Sequence, residues 1–519
     1  MNRQAMASHT FITGSTGTGK SNAVYHLLDE ITKNGQTTFL VVEPAKGEYK
    51  NVFGNCTDVQ VFGTNPRETP LLRMNPFAFP ENIHILEHID RLVEIFNACW
   101  PMYAAMPAVL KDAIERSYQK VGWDLRNSES EKGVFPTFFD LLDILPGVIE
   151  ESHYSKDTQS DYVGALCTRV KSLTNGIYGS VLCAEDALTD EALFDRNVIV
   201  DLSRVGSMET KSLLMGILVM KLQEYRMCSS GMNSRLRHVT VLEEAHNLLR
   251  KTSAEQSQEG ANLQGKSVEM LANAIAEMRT YGEGFIIADQ APGLLDMSVI
   301  RNTNTKIILR LPDEEDRKLV GKSAALKEAQ IDELSKLPLG VAAVYQNEWP
   351  EAVLCKIEAY PMPENAVYHK PSKMPREINA EFVFGQLAVG KELEPLSSSE
   401  MEQLKLWLKR HETVLKPEDG RYLEQVFAGG ELDVAKTRKA VFDFFDGIST
   451  VIDYCAAAEK SFTPRKEFLE QLQGQYGLKA AAADWVLNSV ISMGMSLNPD
   501  AEAVEDLRTN FEQQGGRVL

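Results

Sequence analysis

The stretch HTFITGSTGTGKSN, residues 9–22, matches the pattern G-x-x-x-x-G-K-[ST] at its centre. A short β-prone run, Thr10 to Thr13, precedes the glycines, and apolar residues then recur at helical spacing until Asn34 and Gly35. Glycines between a strand and a helix let the chain turn tightly, so that backbone N–H groups at the positive helix end surround a polyanion. A chance glycine-rich turn is the alternative, but it does not explain the strand and the helix on either side. The stretch therefore predicts a phosphate-binding loop in a sheet flanked by helices.

We expect this loop to bind ATP and Mg²⁺. The expected nucleotide-binding residues are those of the motif, Gly14, Ser15, Thr16, Gly17, Thr18, Gly19, Lys20 and Ser21. Lys20 would supply a cation for the β- and γ-phosphates, which makes it a catalytic candidate as well. The Ser21 hydroxyl is the expected magnesium ligand within the loop.

A second segment, RHVTVLEEAHNLL at residues 237–249, places two carboxylates at the end of a β-prone run. Glu243 at the strand end is expected to hold Mg²⁺, and Glu244 to polarise the attacking water. Whether Glu243 reaches the metal directly or through water stays open, because glutamate is one methylene longer than the aspartate more usual there. An acidic helix N-terminus is the alternative, worth about 0.3–1 kcal/mol to a helix. Pairing with the glycine loop favours the catalytic interpretation.

A third segment, FIIADQAP at residues 285–292, has the pattern of a buried strand that ends in polar residues. The carboxyl ends of strands line the nucleotide crevice in a doubly wound sheet. Gln290 is therefore a candidate sensor that orients the γ-phosphate or the attacking water. A turn or capping role for Asp289 and Gln290 is the plainer alternative.

An arginine between the second and third segments is a candidate for catalysis in a neighbouring subunit. Arg279, in EMRTYGEG, lies near a predicted helix end, from which it could project into the adjacent site. Arg301 and Arg310 are weaker candidates for the same role. The alternative is that Arg279 only complements the helix dipole at a C-terminus.

Strand signals alternate with helices along the first 358 residues, which predicts an α/β fold with a mostly parallel sheet covered on both faces. The region from about Leu86 to Asp190 has a mostly helical pattern and is expected to be an insertion between two strands. Residues 360–377 are rich in proline and polar residues, as linkers are, and the pattern after them is helical. The predicted domains are residues 1–80 and 196–358, the two parts of the core, 81–195, a helical insertion, 359–380, a linker, and 381–519, a helical domain.

Composition limits the possible partners and compartment. The 519-residue chain has a net charge of −19, so contact with nucleic acid would have to be local, as in a basic ring inside a pore. Seven cysteines without a CxxC pair favour reduced thiols, and no window reaches eighteen consecutive apolar residues. We therefore expect a cytoplasmic protein without stable membrane insertion. The polar stretch 251–266 is expected to be a loop that faces either a channel or bulk solvent.

Several ordered motifs resemble the HerA/FtsK class of ring-forming DNA-pumping ATPases, closer to HerA and the VirB-type conjugation ATPases than to FtsK. They are the three segments above with VVEPAKGEYK (41–50), LLRMNPFAFP (71–80), VIVDLSRV (198–205) and RNTNTKIILRL (301–311), and they span about residues 8–358. The resemblance implies a RecA-like core, a homohexamer with nucleotide sites between subunits, and translocation along double-stranded DNA through a central pore. It also implies that Lys20 and Ser21 bind nucleotide and magnesium, that Glu243 and Glu244 form the acidic pair, that Gln290 is the sensor and that Arg279 is the arginine finger.

Two features depart from the class pattern. HerA proteins usually carry a β-barrel domain before the phosphate-binding loop, whereas thirteen residues precede Gly14 here, so barrel-dependent ring contacts are in doubt. Residues 381–519 have 23 acidic and 15 basic side chains, and the second helix of a helix–turn–helix-like stretch there has Lys479 as its one basic residue. That pattern favours protein contacts over reading of a DNA groove.

Three functions remain open from the sequence. The leading hypothesis is an ATP-driven hexameric translocase or helicase on double-stranded DNA, working with a nuclease or another protein effector in DNA processing or antiphage defence. A conjugation or secretion ATPase is a second hypothesis, disfavoured by the missing N-terminal domain and membrane signals. The third is an ATP-gated ring scaffold that assembles and activates a partner protein.

Overall fold

The computed structural model describes residues 3–519 except 34, 104, 131–132, 185–186, 253–257, 363–365, 372–375, 377, 391–392, 413, 459, 461–462, 477 and 499. The chain divides into two units, Met1–Pro371 and Ser372–Leu519. The first unit packs apolar side chains on both faces of a sheet, and the second has a separate apolar core.

The strands all lie in the first unit. In the described part of the chain they are β1 (Thr10–Thr13), β2 (Thr38–Glu43), β3 (Val59–Gly63), β4 (Trp123–Asp124), β5 (Glu129–Ser130), β6 (Asn197–Asp201), β7 (His238–Glu243), β8 (Glu283–Asp289), β9 (Thr305–Ile308), β10 (Val341–Gln346) and β11 (Val353–Lys356). Nine of them form one sheet in the order β11-β10-β9-β1-β8-β7-β2-β6-β3. Strands from β9 to β3 pair in parallel, and β10 and β11 add an antiparallel edge. The predicted mostly parallel α/β sheet is confirmed.

Helices cover both faces of this sheet. They are α1 (Lys20–Thr32), α2 (Tyr49–Phe53), α3 (Ile85–Cys99), α4 (Met106–Lys120), α5 (Phe138–Glu151), α6 (Lys156–Tyr162), α7 (Thr168–Thr174), α8 (Gly176–Leu182), α9 (Asp190–Phe194), α10 (Met208–Ser229), α11 (Gln258–Glu277), α12 (Met297–Arg301), α13 (Glu314–Ser323) and α14 (Glu328–Glu333). β1, β2, β6, β7 and β8 are buried along their whole length, which explains their nearly continuous apolar sequences.

Three details of the first unit differ from the sequence expectation. β3 was not predicted. It has only five residues, and it is stabilised by pairing with β6, which is distant in sequence. The mostly helical block between β3 and β6 includes the small hairpin β4–β5. The prediction that residues 251–266 form a loop is wrong in its second half, because α11 begins at Gln258. Val268 and Leu271 of this helix are buried in the core, although the helix contains glycines. Residues 253–257 of that loop lie outside the described residues.

The segment after β11 contacts the first helices of the sheet. Asn22 on α1 donates to the Glu358 carbonyl at 2.8 Å and accepts from the backbone N–H of Tyr360 at 2.7 Å. The Tyr360 ring packs edge-on against Tyr25, with the ring centroids 5.8 Å apart. Asn51 on α2 accepts from the N–H of Tyr368 at 3.0 Å. This part of the proline-rich stretch is therefore held against α1 and α2.

In the described residues of the second unit, all of the regular secondary structure is helical. Its helices are α15 (Ala380–Val389), α16 (Ser398–Arg410), α17 (Pro417–Phe427), α18 (Val434–Phe444), α19 (Gly447–Ala458), α20 (Pro464–Tyr476), α21 (Ala480–Leu497) and α22 (Ala501–Gln513). α21 lies at the centre, in contact with α15, α18, α19, α20 and α22. Side-chain caps begin several of these helices; Ser397 and Glu400, for example, form a capping box at the start of α16.

A buried ionic network lies at the amino end of β8. Glu283 is fully buried and accepts hydrogen bonds from Arg226 at 2.9 Å and from Thr240 at 2.8 Å, and His238 Nδ1 lies 2.8 Å from the same carboxylate. Burial by itself raises the pKa of Glu283, but His238 and Arg226 lower it to about 2. Arg226 is also fully buried and donates to Asp195 at 2.7 Å.

Replacing Glu283 with alanine is expected to destabilise the first unit by about 3–5 kcal/mol, because the buried Arg226 loses its fully buried partner and keeps only the partly exposed Asp195. The urea midpoint of unfolding measures the effect. Glu333→Ala, which removes one partner of an exposed pair with Lys336, should cost about 1 kcal/mol or less. Since the folded pKa of Glu283 is depressed, its stabilisation is complete above the unfolded pKa and is lost as pH falls towards 2. Equal midpoints for the two variants would contradict the expectation.

Candidate active site

The candidate site lies at the carboxyl ends of the parallel strands, which form one edge of the sheet. β1 leads into residues 14–19, and α1 begins at Lys20. β7 ends at Glu243 and β8 at Asp289, with β8 between β1 and β7 in the sheet. Because parallel strands end at the same edge, the three segments singled out in the sequence meet here.

The glycines of the loop occupy conformations and spaces that suit them. Gly17 and Gly19 have φ angles of 76° and 108°, in the left-handed region that disfavours residues with a side chain. A Cβ on Gly14 would lie 2.7 Å from the Cβ of Leu309, so a larger residue would push the loop off the neighbouring chain. The loop is therefore shaped by its sequence to turn directly into α1.

Lys20 places its ammonium group inside the loop. Its Nζ donates to the Gly14 carbonyl at 2.6 Å and lies 3.4 Å from the Ser15 carbonyl, and the residue is 9% exposed. Burial lowers the pKa of Lys20, and the nearby carboxylates of Glu243 and Glu244 oppose that shift. The cation is thus held between the glycine loop and the acidic pair.

The two glutamates of the acidic pair differ in environment and in backbone shape. Glu243 is 7% exposed and accepts a hydrogen bond from the Tyr49 hydroxyl. Burial raises the pKa of Glu243 to about 7, although the Tyr49 hydrogen bond acts in the opposite direction. Glu244 has φ 46° and ψ 49°, a left-handed conformation that costs a non-glycine residue about 1–3 kcal/mol. This turn ends β7 and lets the two carboxylates reach different partners.

Gln290 connects the glycine loop to the acidic pair. Its Nε2 donates to the Glu244 carboxylate, and its Oε1 accepts from the Thr16 hydroxyl. A side chain that touches both partners can report a change in the loop to Glu244. Asp289 beside it caps the following turn, accepting from the N–H of Ala291 at 3.0 Å, so the capping alternative applies to Asp289 but does not describe the contacts of Gln290.

His246 is a polar residue at this edge that the sequence analysis missed. Asp289 is fully buried and accepts from the His246 N–H at 2.8 Å, while His246 Nδ1 lies 2.9 Å from the same carboxylate. The hydrogen bond to Asp289 raises the pKa of the His246 imidazole. Nδ1 is also 3.6 Å from the Glu244 carboxylate, so a protonated His246 would stabilise the acidic group. The letters EEAH contained this signal, since His246 follows the acidic pair by two residues.

The loop after β2 brings further polar groups to the site. Glu43, Lys46 and Tyr49 line the same cavity as the glycine loop, and all three belong to the motif VVEPAKGEYK. Burial raises the pKa of Glu43 to about 8. The hydrogen bonds that its carboxylate accepts from the backbone N–H groups of Glu48 and Tyr49 oppose this shift. In the sequence these residues stand out only through the resemblance of the motif, and their place beside the glycine loop comes from the fold.

The candidate arginines lie in different places. Arg279 is exposed on the short 3₁₀ helix Met278–Tyr281, which precedes β8, whereas Gln290 follows β8. A seven-residue strand spans about 20 Å, so Arg279 lies at the opposite edge of the sheet from the glycine loop of its own chain. Arg310 follows β9, and its carbonyl accepts from the Ser15 N–H at 3.0 Å. Arg301 ends α12 and is exposed.

The residues around the glycine loop enclose a cavity of about 200 Å³. Its lining combines one lysine of the loop, the Ser21 hydroxyl and the carboxylates of Glu243 and Glu244. Oxygen ligands suit Mg²⁺, and a lysine at a glycine loop that leads into a helix N-terminus suits phosphates, so this donor set fits ATP and Mg²⁺. A magnesium ion here would neutralise phosphate charge, while the residues named above hold and orient the nucleotide.

Comparison with known proteins gives a family match in the first unit. The family described as the central domain of helicase HerA matches residues 3–221. The DNA double-strand break repair helicase HerA of Sulfolobus acidocaldarius is 25% identical over 370 residues, which cover 68% of this chain and 66% of that protein. A probable helicase of Methanocaldococcus jannaschii is 22% identical over 387 residues, covering 69% and 67%. The chain thus spans about two thirds of the length of these curated relatives.

Solved structures share the fold of the first unit. VirB4 of Thermoanaerobacter pseudethanolicus aligns with a TM-score of 0.53 and 19% identity, covering 68% of this chain and 90% of that one. The plasmid coupling protein TrwB, in complex with ADP and Mg²⁺, aligns with a TM-score of 0.50 and 15% identity, covering 70% and 88%. Within the described residues, the structure contains no helix that is both long and apolar enough to span a membrane.

Proposed function

We propose that the chain is a P-loop ATPase of the HerA/FtsK class that couples ATP hydrolysis to movement along double-stranded DNA. The observation that carries the proposal is the contact that Gln290 makes with both the glycine loop and the acidic pair, in a chain whose residues 3–221 match the HerA central domain. Curated relatives that share this region are named DNA repair helicases.

Each residue of the site has a proposed role. Residues 14–19 and Lys20 hold the phosphates of ATP, and Ser21 and Glu243 hold the magnesium ion. Glu244 orients and polarises the attacking water, because its carboxylate follows the buried strand end and lies within reach of the loop. Gln290, in contact with Thr16 and Glu244, senses the γ-phosphate.

We propose a homohexamer with the nucleotide between adjacent subunits. Drug-sized and nucleotide-sized ligands generally occupy pockets of about 300–1,000 Å³. The cavity of about 200 Å³ in one chain would enclose little more than the phosphates. A neighbouring subunit would complete such a site, and the exposed Arg279 at the far edge of the sheet is available to serve that neighbour. Duplex DNA would then pass through the central pore.

The second unit is proposed to be a protein-interaction module. Its excess of acidic side chains disfavours direct contact with DNA phosphates and suits a basic surface on a protein partner. We propose that this partner is a nuclease or a similar effector acting in DNA processing or antiphage defence, in the cytoplasm. On this proposal residues 359–380 link the motor to the module.

Long duplex DNA is expected to raise the steady-state rate of ATP hydrolysis. The DNA concentration for half-maximal stimulation should increase steeply with salt, because each phosphate contact adds about −0.9 to the slope of log K against log salt. Turnover is measured with and without duplex at low and physiological salt. Glu244→Gln is the control, and its turnover should fall by about 10²–10⁴-fold with and without duplex at both salt concentrations.

A rate that is indifferent to duplex at both salt concentrations would contradict the translocase. It would favour the ATP-gated scaffold, in which nucleotide controls assembly and the second unit recruits the partner. Measuring the oligomeric state with and without ATP would then separate the scaffold from an inactive preparation.

A further inference from the structure

The loop between β2 and α2 has a backbone that is fixed at both ends. Lys46 and Gly47 have φ angles of 67° and 68°, so two successive left-handed residues reverse the chain after β2. The Glu43 carboxylate then accepts from the N–H of Glu48 at 2.7 Å and of Tyr49 at 3.1 Å. These contacts cap the start of α2 and fix the position of Tyr49, its first residue.

The same loop is also attached to the end of β6. Lys50 Nζ donates to the Asp201 carboxylate at 2.6 Å and to Glu68 at 3.0 Å. A Cβ added to Gly47 would lie 3.0 Å from the Ser203 hydroxyl and 3.2 Å from the Asp201 carboxylate. The close approach of this loop to β6 therefore requires glycine, and Lys50 holds the approach with a charged contact.

The Tyr49 side chain connects α2 to the end of β7. The residue is 1% exposed, and its ring meets the Tyr25 ring of α1 edge-on at 5.1 Å between centroids. Its hydroxyl donates to the Glu243 carboxylate. One buried side chain thus contacts both the helix that follows the phosphate-binding loop and the carboxylate that ends β7.

We propose that Tyr49 is a positioning residue that holds the Glu243 carboxylate in the orientation that binds magnesium. A glutamate carboxylate can rotate about the three torsions of its side chain, and a hydrogen bond to one oxygen restricts that rotation while the other oxygen stays outside this contact. Glu243 also lines the cavity. Groups that orient a metal ligand in this way typically change metal affinity or activity by about 10–100-fold when they are lost. The inference rests on the role of Glu243 proposed above.

Tyr49→Phe removes the hydroxyl and keeps the ring in its apolar surroundings. In the full-length protein, the Mg²⁺ concentration for half-maximal ATP hydrolysis is expected to rise about 10–100-fold. The maximal rate should recover at high Mg²⁺, and binding of a fluorescent ATP analogue in excess EDTA should be unchanged. Tyr118→Phe is the matched control, because Tyr118 is equally buried and its hydroxyl donates to the Phe77 carbonyl, away from the site.

Two further variants separate the possible results. Glu243→Gln should shift the Mg²⁺ dependence by itself, and adding Tyr49→Phe to it should produce no further shift. If Glu243→Gln shifts the dependence and Tyr49→Phe leaves it unchanged, Tyr49 has only a packing role and the inference is overturned. If Glu243→Gln leaves the dependence unchanged, the magnesium assignment itself fails, and the inference fails with it. A Mg²⁺ shift in Tyr118→Phe as large as that in Tyr49→Phe would also overturn the inference.

Discussion

Glu244→Gln is expected to lower the rate of ATP hydrolysis by about 10²–10⁴-fold, the usual contribution of a positioned general base. The amide has nearly the same shape as the carboxylate, so the left-handed turn at this residue and the contact with Gln290 can be kept. It carries no negative charge with which to polarise water. ATP binding should therefore persist while turnover stops.

The measurement pairs single-turnover hydrolysis with equilibrium binding of ATP. Glu48→Gln provides a matched control, because Glu48 lines the same cavity but is half-exposed and pairs with Lys46 at 3.8 Å. That variant should hydrolyse ATP at close to the native rate. Near-native turnover by Glu244→Gln would show that another group activates the water. Loss of ATP binding by that variant would mean that Glu244 holds the nucleotide or the fold instead.

Arg279→Ala is expected to reduce turnover by about 10³–10⁵-fold, the range found for arginine fingers. Within one chain, Arg279 and the glycine loop are at opposite edges of the sheet. We therefore expect the guanidinium to act in the site of an adjacent subunit. Arg301→Ala and Arg310→Ala test the two alternative arginines under the same conditions.

Mixing two inactive variants tests whether Arg279 acts between subunits. In a mixed ring, an Arg279→Ala subunit keeps its own Glu244 and can receive Arg279 from a Glu244→Gln neighbour. Such an interface is complete, so co-assembly should restore part of the native turnover. No restoration in rings shown to contain both variants would place the effect of Arg279 within its own chain, where its charge acts on the buried His9.

The sequence was most informative where local pattern and chemistry coincide. The run Thr10–Thr13 before the glycines and the run that ends in Glu243 are both buried parallel strands, as their β-prone residues predict. Pattern was less informative for 251–266, where glycines and polar residues suggested a loop. Packing of α11 against α3 overrides that local preference from Gln258 onward.

The contacts that Tyr49 and His246 make at the site could not be derived from the spacing of residues in the sequence. Tyr49 and Glu243 are 194 positions apart, and their hydrogen bond depends on the order in which β2 and β7 lie side by side. The same holds for His246 and Asp289, which belong to adjacent strand ends. A sequence indicates which residues end strands, but strand order decides which of those ends touch.

The left-handed backbone at Glu244 has an evolutionary consequence. A glycine at this position would relieve a conformational cost of about 1–3 kcal/mol and would remove the carboxylate with it. With the catalytic role proposed for Glu244, selection for thermostability alone would favour glycine, whereas selection for turnover would keep the glutamate. On that proposal the φ angle of Glu244 sets a trade-off between stability and activity, which limits consensus or directed stabilisation of this protein.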